Sequence, residues 1–274
     1  MIDYEALRNC RLFLLDMDGT LYLTDTPCRG AVDFIKTLKA TGRRYIYLTN
    51  NSSHNHSDCV EKLRGLGFPC EDGDVFTAGM AAGLYLKEHF PGKKICLVGT
   101  EALVGELAEY GVEVDNDDPE VVVAGFDSEL TYDKLCKAIH HLRAGLPFIA
   151  TNPDLVCPVK GGFIPDCGSI CALLTAASGR EPTYVGKPCR EIIDVIRTMT
   201  GVPAEEICCV GDRLYTDIAV GLNGGTYTAA VLTGEVTREM IQSSDIQPHY
   251  VFEDVGELCA ALAPSDEGAV SEAD

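Results

Sequence analysis

Short apolar runs alternate with amphipathic stretches along most of this chain. RLFLLD (11–16), RYIYLTN (44–50), PTYVGK (182–187) and EICCVGD (206–212) read as buried strands, followed by TYTAAVLTG (226–234) and HYVF (249–252). Between them, Val32, Ile35, Leu38 and Lys39 fall at helical spacing and Gly42 supplies a stop. A second helix near 56–66 ends at Gly65 or Gly67, and Glu191, Ile192, Val195, Ile196 and Met199 mark a third. Glu5 to Leu7 reads as part of a short lead-in helix. This alternation predicts an α/β fold built on parallel strands.

The middle third carries an α/β set of its own. KKICLVG (93–99), VVVAGF (121–126) and PFIATN (147–152) are strand-like, with helical patterns around them. That is too long for a loop and about the size of a small domain. The simplest layout is a Rossmann-like parallel-sheet core, residues 1–77 and 182–264, interrupted by a smaller α/β domain at 78–181. The closing segment 265–274 is acidic and poor in apolar groups, and reads as a frayed tail.

Charge and cysteine usage narrow the setting. With 22 basic against 42 acidic side chains, the formal net charge is −20. Such a chain is unsuited to general nucleic-acid binding or to anionic lipid, although a local cationic site still suits a small anion. The start, MIDYEALRNC, has neither the basic nor the apolar region of an export signal, and no run approaches the ~18 apolar residues of a membrane span. The 13 Cys form no CxxC pair and read as reduced thiols. A cytoplasmic protein is expected.

The chemistry gathers just after the strands. The first ends in Asp16-Met17-Asp18, the second in Thr49-Asn50-Asn51, the next core-type strand in Gly186-Lys187-Pro188, and the fourth in Gly211-Asp212-Arg213, with Thr216-Asp217 beyond. Ligands of open parallel sheets bind outside these carboxyl ends. Taken singly, Asp16 or Asp212 also suits a helix N-cap and Asp217 a helix-dipole partner. Lys187 also suits an exposed lysine, and Thr49 a turn. Together they describe a site for a divalent cation and a phosphate. Asp16 and Asp212 offer oxygens to a hard cation such as Mg²⁺. Thr49 and Lys187 suit phosphate oxygens as donor and point charge. Asp16 is placed to attack phosphorus, and Asp18 to protonate a leaving alcohol and then deprotonate water.

DMDGTLY, LTNN, VGKP and GDRLYTD resemble the four ordered motifs of the haloacid dehalogenase superfamily of phosphatases, over nearly the whole chain. ATNPDLVCPVKGGFIPDCGSICALLTAASGREPTYVGKP resembles the NagD and p-nitrophenyl phosphatase branch. The resemblance implies Asp16 as nucleophile, Asp18 as acid/base, Lys187 as phosphate-binding lysine, and Thr49, Asn50 and Asn51 as the phosphate-holding second motif. It implies Mg²⁺ held by Asp16, the Asp18 carbonyl and Asp212, with Asp217 behind them near Lys187. The inserted domain then acts as a cap that closes over the site and selects the substrate, and relatives pair as homodimers through it. Ion-pumping relatives carry Thr at the position of Asp18, so this chain resembles a phosphatase of small phosphorylated metabolites.

Two other readings share the site: a phosphotransferase or mutase, and a low-turnover sensor of a phosphorylated metabolite. Within the cap, Asn152, Asp154 and Cys157 are candidates to contact the leaving group. Cys157 stands where a pyridoxal phosphate phosphatase places a substrate-contacting histidine, which argues against that substrate. His54 and His56 read as polar loop residues, and Tyr22 suits packing against the cap, the substrate or the core alike.

Overall fold

The computed structural model describes residues 3–159 and 161–263; the acidic segment expected at 265–274 lies outside them. From the N-terminus, α1 (Glu5–Asn9) leads into β1 (Leu12–Leu15), and a small hairpin, β2 (Tyr22–Leu23) and β3 (Thr26–Pro27), precedes α2 (Ala31–Ala40). β4 (Arg44–Thr49), α3 (His56–Gly65), β5 (Val75–Thr77) and α4 (Ala78–His89) come next. Then follow β6 (Ile95–Val98), α5 (Glu101–Glu109), β7 (Val121–Ala124), α6 (Tyr132–Arg143) and β8 (Phe148–Ala150). A hairpin of β9 (Val156–Val159) and β10 (Gly162–Pro165) leads through α7 (Cys167–Ser178) to β11 (Thr183–Tyr184). The chain ends with α8 (Glu191–Thr200), β12 (Ile207–Gly211), α9 (Ala219–Gly224), β13 (Tyr227–Val231), α10 (Arg238–Ser243), β14 (Tyr250–Phe252) and α11 (Val255–Ala261).

Six of these strands form one sheet in the order β14-β13-β12-β1-β4-β5. All its pairings are parallel. The strands are apolar on both sides because both faces are covered by helices. On β1, Phe13 and Leu15 join one buried cluster with Phe34, Tyr47 and Phe252. Leu12 and Leu14 join the other, with Ile46, Ile192 and Ile196. The chain leaves β1 toward β4 and β5 on one side and later returns to β12 on the other, so β1 lies at the switch point where such sheets bind ligands. Leu15 is level with Tyr47 and Val210, so the residues just past all three strands meet at one edge.

The second sheet, β11-β8-β7-β6, is also parallel and has its own pair of cores. Here the structure departs from the sequence reading of 182–187 as a core strand. Only Thr183 and Tyr184 are extended, and they pair with Ile149 and Ala150 of the smaller sheet. Val185 then packs with Leu97, Val121, Val123 and Ile149. A short apolar run carries the same periodicity whichever sheet it joins, and side-chain partners decide the outcome. The β9–β10 hairpin is a further addition to the sequence reading. It is short and exposes Phe163 and Ile164, so it lacks the buried alternation that marks a strand. Among the described residues no helix is long and apolar enough to cross a membrane.

A buried carboxylate joins the two halves. Glu106 of α5 accepts hydrogen bonds from the His56 amide at the start of α3 (2.9 Å) and from the Thr77 hydroxyl at the end of β5 (2.8 Å). A Cβ on Gly79 would come within 1.8 Å of its Oε2, so only glycine leaves room there. Burial pushes the Glu106 carboxyl up to about 7, against the two hydrogen bonds and with help from Glu109 and Asp58. The folded state therefore favours the protonated form. That contribution is complete below the ordinary glutamate value and is lost as pH rises through about 7. Glu106→Gln should flatten the decline of stability between pH 5 and 8, with a wild-type-minus-variant difference of roughly 3 kcal/mol across that window. Urea unfolding at each pH checks it, and parallel curves for the two proteins would contradict it.

Candidate active site

The strand register brings Asp16, Asp212 and Thr49 to one edge, and local turns hold them there. Asp16 follows β1, with its amide donating to the Val210 carbonyl (2.9 Å). The chain then reverses sharply, with Gly19 at φ 96° and its amide donating to the Tyr22 carbonyl (2.9 Å). A Cβ on Gly19 would lie 2.5 Å from an Asp212 oxygen, and one on Gly234 would lie 1.9 Å from it. Glycine at both positions is thus required for Asp212 to fit beside the first turn. Asp212 follows β12, and Asp217 lies in the π-helical turn Leu214–Ile218.

Lys187 enters from the segment after β11, just before a cis Lys187–Pro188 bond. Its ammonium is almost wholly buried and lies 2.6 Å from Asp16 Oδ1, 2.6 Å from Asp217 Oδ1 and 3.0 Å from the Leu48 carbonyl. Burial alone would pull its proton affinity down, but Asp16 and Asp217 outweigh it and hold the ammonium charged. Burial and the charge on Asp16, opposed by Lys187, place the Asp217 carboxyl at about 6. Asp212 is raised well above the ordinary range by burial and by Asp16 and Asp217.

The carboxylates are undersupplied with positive charge. One oxygen each of Asp16, Asp212 and Asp217 lies within 4.8 Å of the other two. The Thr20 hydroxyl sits 3.1 Å from Asp16 Oδ2 and 3.2 Å from Asp212 Oδ1, and its single proton serves only one at a time. Asp212 Oδ2 accepts from the Glu235 amide (2.8 Å). Lys187 balances Asp16 and Asp217, whereas Asp212 has no ammonium or guanidinium in hydrogen-bond contact among the described residues. An oxygen-rich, partly dehydrated, net-negative cluster suits a hard divalent cation. Asp217, expected behind the metal ligands, also has an oxygen within 4.8 Å of those of Asp16 and Asp212, while its Oδ1 accepts from Lys187 and its Oδ2 from the Arg213 amide. The Asp18 carboxyl makes its contacts with Tyr22 and Lys62, and Asp18 also borders a small pocket with Asp16.

Other candidates divide by what their polar atoms already touch. Thr49 and Asn51 border a cavity of about 550 Å³ together with Asp18, Tyr22, His54 and Lys62. The Thr49 hydroxyl accepts the Asn51 amide (3.0 Å), and Asn51 Oδ1 accepts from the Ser53 amide and hydroxyl (2.9 and 2.7 Å). The Asn50 carboxamide is committed elsewhere. It donates to Asp154 Oδ2 (2.6 Å) and to the Lys187 carbonyl (3.1 Å), and it accepts the Lys187 amide (2.9 Å). Its side chain therefore sets the position of Lys187.

Two cap candidates are placed differently from the sequence expectation. Asn152 and Asp154 are fully buried. Asp154 Oδ1 accepts from Arg213 (2.9 Å), and its Oδ2 from Asn50 and Asn152 (2.6 and 2.9 Å). Asn152 also donates to Asp166 (3.1 Å). These bonds tie the cap loop to the core, and Asp154 also borders a small pocket with Asp16, Asp18 and Thr49. Cys157 is half-buried and borders a small pocket with Asp16, Asp18, Thr49 and Asn51; burial pushes its thiol up to about 12. Sequence reasoning missed three contributors: Thr20 between the two acids, Arg213 as partner of Asp154, and Lys62 beside Asp18. Thr20 and Arg213 lie inside the quoted motifs and were legible by position. Lys62 carries only the signal of a basic residue three positions after a buried Cys59.

Comparison with known proteins agrees with this geometry. A family model described as haloacid dehalogenase-like hydrolase matches residues 13–113, and a second, HAD-like one matches 184–258. The acid sugar phosphatase of Staphylococcus aureus strain MRSA252 is 35% identical over 257 residues, 93% of this chain and 99% of that protein. Among solved structures, the 4-nitrophenylphosphatase from Thermotoga maritima superposes with a TM-score of 0.91 at 43% identity, covering 94% of this chain and all of that one. NagD from E. coli K-12 gives 0.83 at 33% identity, covering 90% and 98%. A glycerol phosphate phosphatase from Mycobacterium tuberculosis, in complex with magnesium, gives 0.86 at 30% identity, covering 94% and 77%. The chain belongs to the haloacid dehalogenase-like hydrolases. Within them it is a NagD-like phosphatase with a parallel-sheet core and an α/β cap.

The cap–core tie yields a measurable consequence. Asp154 is completely buried and the Arg213 side chain is 13% exposed, so removing either partner strands a charge. Asp154→Asn and Arg213→Met should each destabilise by about 3–5 kcal/mol, and the double variant by clearly less than their sum. Urea unfolding of the four proteins tests this, with additive losses as the contrary result.

Proposed function

We propose that this chain hydrolyses small phosphate monoesters in the cytoplasm through a phosphoryl-aspartate on Asp16, with Mg²⁺ as cofactor. The observation that carries this reading is the buried Asp16–Lys187–Asp217 chain, with both contacts at 2.6 Å, lying beside an Asp212 carboxylate with no such cationic partner. Lys187 holds Asp16 in one orientation and offers charge to an incoming phosphoryl oxygen. The Thr49 hydroxyl and the amides of the following turn add neutral donors. Asp18, turned toward the 550 Å³ cavity, is positioned to give a proton to the departing alcohol and later to take one from water. Burial raises the Asp18 carboxyl, while Lys62 opposes that and Asp16 adds to it, a setting that suits a proton donor. Mg²⁺ held by Asp16, the Asp18 carbonyl and Asp212 would neutralise the phosphate as charge shifts toward the leaving oxygen.

The substrate class follows from the cavity and from the relatives. Its lining mixes Asp58, Glu61, His54 and Lys62 with Met17 and Tyr22, which suits a hydroxyl-bearing metabolite. Relatives named for sugar phosphates and glycerol phosphate point the same way. The 13 free thiols suit a reducing compartment.

Phosphate release from sugar phosphates, glycerol phosphate and 4-nitrophenyl phosphate, with Mg²⁺ and with chelator, tests the proposal. Asp16→Asn should abolish release with the fold intact. Outer partners of a metal site are already worth 10–100-fold in affinity. Asp212→Asn should therefore raise the Mg²⁺ needed for half-maximal rate by on the order of tenfold or more. Transfer to an added sugar exceeding release to water would favour the phosphotransferase reading, and binding without turnover the sensor.

A further inference from the structure

Asp18 is held on both carboxyl oxygens by side chains outside the strand-end motifs or at their margin. The Tyr22 hydroxyl donates to Oδ2 (3.1 Å), and the Lys62 ammonium lies 3.5 Å from Oδ1. The same ammonium sits 4.3 Å from the centroid of the Tyr22 ring, so the three groups form a closed set. Their mountings are rigid. Tyr22 is buried against Phe68, with ring centroids 6.5 Å apart. Lys62 stands on α3, whose start is fixed by an Asn55–Asp58 capping box and by Glu106 on the His56 amide. Lys62 and Asp18 both border the 550 Å³ cavity and stay partly open to it, at 37% and 25% side-chain exposure.

We propose that Lys62, together with Tyr22, is the positioning residue that aims the Asp18 carboxyl at the leaving-group oxygen, and that it decides how well the enzyme cleaves esters of poorly acidic alcohols. The inference rests on the phosphatase reading above. In the step concerned, an Asp16 oxygen forms a bond to phosphorus and the bond from phosphorus to the ester oxygen breaks. The Asp18 proton passes to that oxygen, and Asp18 is left as a carboxylate. A carboxyl free to rotate spends much of its time with its proton turned away from the ester. The Tyr22 hydrogen bond fixes Oδ2 and Lys62 stands beside Oδ1, so the carboxyl is held in one orientation at the cavity wall, and the ammonium meets the negative charge as it forms. An alkoxide needs that proton to depart, whereas 4-nitrophenolate departs without it. Lys62 should therefore matter for one substrate class far more than for the other.

The experiment compares kcat/KM for glycerol phosphate and 4-nitrophenyl phosphate, with Mg²⁺, in wild type, Lys62→Met, Lys62→Arg, Tyr22→Phe and Asp18→Asn, each checked for an unchanged Tm. Lys62→Met should lose on the order of tenfold or more on glycerol phosphate, chiefly in kcat, and several-fold less on 4-nitrophenyl phosphate. Tyr22→Phe, which keeps the ring, should show the same selectivity, and Lys62→Arg should recover most of the loss. Equal losses on both substrates, or none, would overturn the positioning role while leaving the phosphatase reading intact. Wild type inactive on both, or Asp18→Asn without selectivity, would remove the proton donor and the proposal with it.

Discussion

The site depends on one buried ammonium. Lys187 is packed between Asp16 and Asp217 at 2.6 Å each, in a position where three carboxylates converge. Without it, Asp16 and Asp217 would lose the cationic partner that they share, and Asp16 the contact that fixes its carboxylate. With it, Asp16 stays fixed and available, while Asp212 keeps an appetite for a cation. Breaking a buried pair of this kind costs far more than the pair contributes when intact. That asymmetry explains why so many neighbouring groups serve to hold Lys187 in place.

The constraint spreads outward from there. Asn50 brackets the Lys187 peptide with a donor and an acceptor, and donates as well to Asp154 in the cap loop. Asp154 in turn holds Arg213, whose amide donates to Asp217 (3.0 Å). A closed circuit of hydrogen bonds thus runs from the ammonium through the cap loop and back to its second carboxylate. The cap loop is anchored by residues that also order Lys187, so a change in the loop would register at Asp16. Asp18 stands outside this circuit, with Tyr22 and Lys62 as its own support. Asp16 and Asp18 are therefore positioned by separate networks, as suits the different charge requirements of the proposed nucleophile and proton donor.

Much of this was legible before any coordinates. The runs ending at Asp16, Thr49 and Asp212 read as buried parallel strands, and the alternate residues of β1 pack into two separate cores. The acids and the amides after them could be read as a phosphate and cation site because strand ends of a parallel sheet must converge. The structure brings Lys187 to Asp16 and Asp217, although the strand before it belongs to the smaller sheet and not to the core as read. Asn152 and Asp154 were candidates to contact the leaving group, and here their side chains are held in buried hydrogen bonds between core and cap, with Asp154 also at the edge of a small pocket.

What the sequence by itself determined is the alternation of strands and helices and which acids, amides and ammonium stand just past the apolar runs, because residue type and periodicity are local properties. The tertiary structure decided which polar atoms remain free. Asn50 and Asp154 are spent on one another, and Lys62 reaches Asp18 from a helix more than 40 positions away. Such pairings depend on distances between elements, which no one-dimensional pattern encodes. They arise only when the two sheets and their helices close around the edge of β1.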